Sequence, residues 1–338
     1  MDRKNLFQKF RKNKYALGAS IIVLLLLFFS LLSELLCNDK PIVVYYQGSL
    51  FFPVYIHYEP STFLLNYKEI DYQSEQVKSL WQQNGNWVIY PPIKFSYNSV
   101  NNLNNNPFPS PPSSINFLGT DDRGRDVLAR ILYGVRLNIL FALAVTIVSA
   151  LIGVFLGAVQ GYAGGKYDLI IQRCIEVWSA LPELYILLLA STLFDSSLLI
   201  LFIILSLFSW ISFNDYARAE FLRIKQKEYV LAAKSLGLSH IKIIMRHILP
   251  NTLIPIITLF PFRLGATLLA LTSLDFLGLG VGDSYPSLGE LLNQARGHID
   301  AWWLSATSFT VLLIFLVSFV FIGEGIRDVF KDDSQQSN

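Results

Sequence analysis

Few residues of this chain have both the type and the spacing for covalent chemistry. The four histidines, His57, His240, His247 and His298, are scattered, with neither metal-ligand nor base–nucleophile spacing. No phosphate-cradling Gly-x4-Gly-Lys-Ser/Thr occurs. The nearest stretch, from Gly161 to Lys166, lacks both the spacing and the hydroxyl and reads as a turn. Cys37 and Cys174 offer neither a disulfide framework nor a metal-site spacing. The chain therefore reads as a non-enzyme with no metal and no cofactor of its own. What remains are ionisable groups inside apolar stretches, Glu183, Arg263 and Asp275. A charge at mid-membrane costs about 2.5–3.5 kcal/mol on insertion scales, so it faces protein or a water-filled cavity. Lining of a pore and a structural ion pair both fit Glu183 and Arg263. Asp275, at the outer end of its span, either caps a pore or faces solvent.

Those charges are positioned by apolar helices. Of 338 residues, 53% are hydrophobic and only 15% charged, and the mean hydropathy is +0.44. Windows of about 20 residues with one charge or none alternate with charge clusters, the pattern of a polytopic all-α membrane protein. A net charge of +2 gives no footprint for nucleic acid. Six spans are predicted, at 16–36, 137–160, 174–194, 198–213, 252–274 and 303–322. The first follows a basic tail with Arg3, Lys4, Lys9, Arg11, Lys12 and Lys14. It is too long for a signal-peptide core and lacks a small-x-small cleavage site, so it reads as retained. Basic residues concentrate in the tail and in 214–251, which puts both termini and that loop in the cytoplasm. The two cysteines then lie at opposite membrane faces.

Several stretches carry architecture rather than chemistry. Ser149, Gly153, Gly157 and Gly161 recur every four residues and form a small-residue face for close helix packing. The 37–117 segment is rich in Tyr, Trp, Asn and Pro. Its β-like runs 42–46 and 50–56 flank Gln47-Gly48-Ser49, and a second turn at Asn84-Gly85-Asn86 precedes 87–90. It reads as a small β-rich extracytoplasmic insert ending in an Asn/Pro/Ser linker over 98–114. Residues 118–136 place Val127, Leu128, Ile131, Leu132 and Val135 at helical spacing and predict an amphipathic surface helix. A helical core of five spans then covers 137–330, before a short tail at 331–338.

The 214–251 loop is the most informative segment. Gly237 is placed to end one helix in the left-handed conformation. Ser239 is placed to N-cap a second, and Ile241, Ile244, Met245 and Ile248 form its apolar stripe. Pro250 should stop it. Two short helices at an angle, with Ala232 and Ala233 offering a flat surface, make a docking element. An ordinary interfacial linker fits the same geometry.

The register resembles the EAA motif of ABC importer permeases. Ala232-Ala233, Gly237 and Leu249-Pro250 all fall in place, while Leu231 replaces the motif's Glu and His247 its Ile. A His there is similar to the dipeptide and oligopeptide branch. So are Phe117 to Arg136, before the second span, Leu274 to Gly280 and Pro286 to Glu290, before the last span, and Ile322 to Asp328 at the C-terminal end. The insert, with Asn38 to Pro41 and Asn106 to Pro112, is similar to the YejE-type branch of peptide and microcin C importers. The resemblance implies a six-helix type I permease fold and a half-pore in the bacterial inner membrane. It also implies a second permease subunit, two cytoplasmic ATPase domains that use ATP and Mg, and a periplasmic substrate-binding protein. Tyr229, Ala232, Ala233, Gly237, His247, Leu249 and Pro250 would couple to the ATPase. A permease for nickel or a glycoside remains an alternative. So does a stand-alone secondary transporter, although that would need intramembrane ion sites and usually internal repeats, neither of which is evident.

Overall fold

The computed structural model describes residues 3–63, 70–81, 85–101, 107–193, 197–282 and 284–336. The expected turn residue Asn84, the linker residue Asn106 and the span end at Phe194 lie outside these. The chain divides into two units. One comprises Met1–Leu24, Asn138–Gly282 and Val311–Asn338, the other Leu25–Leu137 and Asp283–Thr310.

The first unit is helical. Helices α1 (Arg3–Lys12) and α2 (Lys14–Leu31) open the chain, and α3 (Ser33–Leu36) already lies in the second unit. Among the described residues, five helical runs are long and apolar enough to cross a membrane: Lys14–Leu31, Val127–Ala163, Leu198–Ile224, His240–Phe276 and Trp302–Phe330. One of them, helix α5 (Val127–Ala163), has 37 residues. At 1.5 Å per residue it is about 55 Å long, well beyond a bilayer core of about 30 Å. It starts at Val127 without a break, so the apolar positions expected on a separate surface helix belong to its first turns.

The expected span at 174–194 is not one helix. Helix α6 (Gly165–Ser179) ends before Pro182, and α7 (Glu183–Leu193) begins after it. Proline has no N–H to donate, and its ring pushes Leu181 out of the helical region. The 11 residues of α7 reach only about 16 Å, too short to cross alone.

Helix α8 (Leu198–Ile224) packs on α5 through the glycine ladder. A Cβ added at Gly157 would stand 2.5 Å from the Asn214 carbonyl oxygen, and one at Gly161 would stand 2.7 Å from that of Arg218. A Cβ at Gly153 would meet the Trp210 carbonyl oxygen, Phe213 Cβ and the Asn214 amide nitrogen in the same way. Ser149, one step along, is fully buried.

In the second unit, β1 (Val43–Tyr46) is the middle strand of an antiparallel sheet between β2 (Ser49–Phe51) and β3 (Trp87–Ile89). Gln47 and Gly48 both have positive φ, the requirement of a two-residue type I′ hairpin, and Tyr46 pairs with Ser49 across it. One sheet face buries Val44 and Tyr46 against Phe63, Tyr72, Val77 and Trp81. Trp81 lies on helix α4 (Glu75–Trp81), so the segment is a mixed unit of strands, a 3-10 turn and a helix.

The stretch before α5 is a buried polar knot. Asp121 Oδ1 accepts from the Arg123 and Arg125 amides at 3.0 and 2.8 Å, and its Oδ2 accepts from Arg125 Nε at 2.7 Å. Arg130 Nε lies 3.6 Å from the same oxygen, and its guanidinium donates to the Tyr97 and Tyr285 carbonyls. Asp126 accepts from Asn116 at 2.8 Å and from the Ala129 amide, which fastens the first turn of α5. Glycine is required at two places here. Gly119 and Gly124 have positive φ, and a Cβ would meet Trp303 and Phe108 respectively. Trp303 closes the knot by donating to the Thr120 carbonyl at 3.1 Å.

Asp121 and both arginines are at most 3% exposed. Removing one partner of such a buried cluster leaves uncompensated charge. Asp121→Ala should therefore destabilise this unit by about 3–5 kcal/mol. Limited proteolysis of the 25–137 region in detergent will read that loss.

Candidate functional site

The candidate site is built on α8, α9 (Glu228–Ser235), α10 (His240–Ile243), a π-helical turn (Ile244–Ile248) and α11 (Leu249–Phe276). Helix α9 ends in a Schellman arrangement. The Leu238 amide bonds to the Ala233 carbonyl, the Gly237 amide bonds to that of Lys234, and Gly237 has φ +77°. No Cβ contact would arise at Gly237, so the backbone conformation alone demands the glycine.

Helix α9 is two-faced. Val230 and Ala233 pack against Phe221, Ile224, Ile243 and Ile248 in one apolar cluster that also takes in Tyr162 and Leu249. On the other side Tyr229, Leu231 and Leu236 are 47%, 50% and 80% exposed, and Ala232 is exposed with them. The two alanines expected to share one approach surface are thus divided, Ala232 facing out and Ala233 facing in. The cause is the 100° step between successive helical residues.

Ser239 starts α10 without a side-chain cap bond, and Pro250 does not end the helix. It occupies the first turn of α11, where its missing N–H is no loss, and the π turn leads straight into it. The wider π turn also splits the expected stripe. Ile248 is fully buried, while Ile241 and Met245 are 73% and 59% exposed. The motif's histidine lies beside its tyrosine, with the ring centroids of Tyr229 and His247 6.5 Å apart. Asn251 Nδ2 donates to the His247 carbonyl at 2.8 Å.

Polar clamps tie this element to α5 and α6. Arg218 binds Asp168 through two parallel bonds, Nε to Oδ1 at 2.5 Å and Nη2 to Oδ2 at 2.8 Å. The Arg218 hydrogen bonds hold the Asp168 carboxyl below its ordinary value. The clamp is therefore complete above the ordinary carboxylate range and is lost as pH falls through the lowered value. Asn214 donates to Gln160 Oε1, and Gln160 donates to Gln172 and to the Asp168 carbonyl. Lys225 Nζ caps the end of α5 at the Gly161 carbonyl, 2.7 Å away. Tyr162 Oη and His240 Nδ1 lie 2.5 Å apart. Sequence reasoning missed these clamps because no local pattern marks side-chain pairs between separate helices, and Arg218 with Asp168 and Asn214 with Gln160 stand 50 and 54 residues apart.

The three intramembrane charges are placed differently. Glu183 opens α7 and Arg263 sits mid-way along α11, both half-buried. Arg263 Nε is buried without a hydrogen-bond partner among the described residues, and the opposite charge acting on it is Glu183. Asp275 is buried and accepts from the Val281 amide at 2.8 Å. A side chain at Gly280 would collide with that carboxylate. Asp275 thus holds together the turn that ends α11.

Comparison with known proteins adds the following. Residues 149–332 match the family described as binding-protein-dependent transport system inner membrane component. The inner membrane ABC transporter permease protein YejE of Escherichia coli K12 is 46% identical over 325 residues, 95% of this chain and 94% of its own length. The peptidoglycan transport system permease protein YejE of Agrobacterium fabrum is 40% identical over 351 residues, 97% and 92% of the two chains. The dipeptide transport system permease protein DppC of Haemophilus influenzae is 33% identical over 220 residues, covering 65% of this chain and 75% of its own.

Proposed function

This chain belongs to the family of binding-protein-dependent transport inner-membrane permeases, and from that premise we propose that its 228–251 element is the socket through which an ATPase drives import of peptide-like cargo. The observation that carries this is the division of α9. Its inner face is locked into the cluster of Phe221, Ile224, Ile243 and Ile248, while its outer face leaves Leu231 and Leu236 exposed. A push on the outer face must therefore move the ends of α5, α8 and α11 together. A flexible linker would absorb that push.

In this reading α6 and α7 together supply a sixth crossing, broken at Pro182, and both termini are cytoplasmic. The 37–117 segment is the extracytoplasmic insert. The half-pore is completed by a second permease, fed by a substrate-binding protein and driven by two ATPase domains that bring the ATP and Mg. Glu183 and Arg263 are the candidate pore-lining pair. The relatives named for peptidoglycan and dipeptide transport favour short peptides or peptide-bearing glycans as cargo.

Uptake of a labelled tripeptide and of a muramyl peptide into proteoliposomes holding the whole transporter tests the reading. ATP-dependent accumulation of either, abolished when this chain is left out, is expected. ATP hydrolysis stimulated by neither compound in the presence of the binding protein would count against peptide-like cargo.

A further inference from the structure

Between α5 and the run from α10 into α11 lies a groove of about 760 Å³. Leu151, Phe155 and Val159 wall one side, and Ile241, Met245 and Leu253 the other. Every lining side chain is apolar except Tyr162. Leu151 and Phe155 are each 67% exposed within the chain. At the coupling-element end a second cavity, of about 540 Å³, shares Tyr162 and Ala163 with the groove. Lys225, Lys234 and His240 line it, and no carboxylate does. Lys225 Nζ donates to the Gly161 and Tyr162 carbonyls, which leaves one of its three donors for a ligand.

An apolar groove opening into a basic hollow has the polarity of an anionic amphiphile. We propose that the pair of cavities holds one anionic phospholipid of the cytoplasmic leaflet, with its phosphate at Lys234 and His240 and its acyl chains along α5. Charge decides the occupant. A partner helix would fill the groove but bring no anion to Lys234 and His240 in the hollow. A zwitterionic lipid would bring its own cation to them. Bound there, the lipid bridges α5 and the 240–253 run and stiffens the coupling element against the pore. The proposal rests on the reading that places this element at the cytoplasmic membrane surface.

The test uses the full-length chain in nanodiscs of equal parts phosphatidylglycerol and phosphatidylcholine. The chain is extracted in mild detergent and its retained lipids are counted by native mass spectrometry. Preferential retention of about one phosphatidylglycerol per chain is expected. A basic side chain near an anionic lipid changes binding by about fivefold, so Lys234→Gln should lower phosphatidylglycerol retention by about that factor. Val159→Trp fills the groove, and should lower retention of both lipids while leaving the headgroup preference intact. Equal retention of the two lipids by the unaltered chain overturns the proposal, as does unchanged retention in both variants. Displacement by millimolar inorganic phosphate would assign the hollow to a free anion. Cross-linking of Val159→Cys to the second permease in the whole transporter would assign the groove to that subunit. Either result overturns the lipid site. ATPase retention by the same variants is scored separately. Loss of the ATPase with the lipid retained counts against the coupling reading and leaves the lipid site standing.

Discussion

Leu236→Asp should abolish ATP-driven uptake while leaving the chain inserted and folded. Leu236 is 80% exposed, so a carboxylate there disturbs little in the isolated subunit. At the carboxyl end of α9 it meets the negative pole of a short helix, a penalty of about 0.3–1 kcal/mol. Docked against an ATPase the same side chain is covered. An unpaired charge buried in an interface costs about 3–5 kcal/mol, roughly a hundredfold to a few thousandfold in affinity. Leu236→Ala removes only apolar contact and should cost about 1–2 kcal/mol. Measuring uptake and ATP hydrolysis side by side separates the cases. The aspartate variant should lose uptake and substrate-stimulated hydrolysis together, with unchanged amounts of chain in the membrane. A variant that transports normally would place the docking surface elsewhere.

Gly157→Leu acts at the opposite level, on the fold. A Cβ at this position would stand 2.5 Å from the Asn214 carbonyl oxygen, 2.8 Å from Ala217 Cβ and 2.9 Å from the Arg218 amide nitrogen. Two of those three atoms are backbone and have no rotamer to change. Helices α5 and α8 must separate, and the clamps that span them separate too: Gln160 with Asn214, and Asp168 with Arg218. Overpacking alone costs about 1–3 kcal/mol, and two broken polar links, one buried and one partly buried, bring the loss to several kcal/mol. Gly157→Ala should be intermediate. Gly18→Ala is the control, because a Cβ there meets nothing within 4 Å. Thermal denaturation in detergent should rank them Gly18→Ala, Gly157→Ala, Gly157→Leu in rising order of damage.

These two positions show what the sequence could and could not reveal. The four-residue recurrence of Ser149, Gly153, Gly157 and Gly161 announces a packing face, because helical geometry alone puts those positions in a row. It does not name the partner, since α8 lies some 50 residues away. In the coupling element, Gly237 was legible because the left-handed residue after a helix is a local need. The fate of Pro250 was not. A proline after a helix reads as a stop, yet at the first turn of the next helix it is harmless, and the π turn before it leaves no sequence mark. That turn is also why Ile248 faces the core while Met245 faces outward. Breaks in helices follow the same division. Pro182 was visible within the 174–194 stretch, but the hydropathy of its surroundings hid the interruption. Asp275 looked like a charge near a pore because it ends an apolar run. Its bond to the Val281 amide pairs residues six apart across a turn, below the reach of periodicity.

The account stands or falls on what the outer face of α9 touches. A cysteine at position 236, in a chain whose Cys37 and Cys174 are replaced by serine, should be cross-linked in membranes of the assembled transporter by a short bifunctional reagent. The predicted product joins this chain to the ATPase subunit, changes in yield between nucleotide-free and ATP-bound states, and is absent when the cysteine is moved to the buried position 233. A cross-link to any other subunit, or none to the ATPase in either nucleotide state, would contradict the assignment of residues 228–251 as the coupling site.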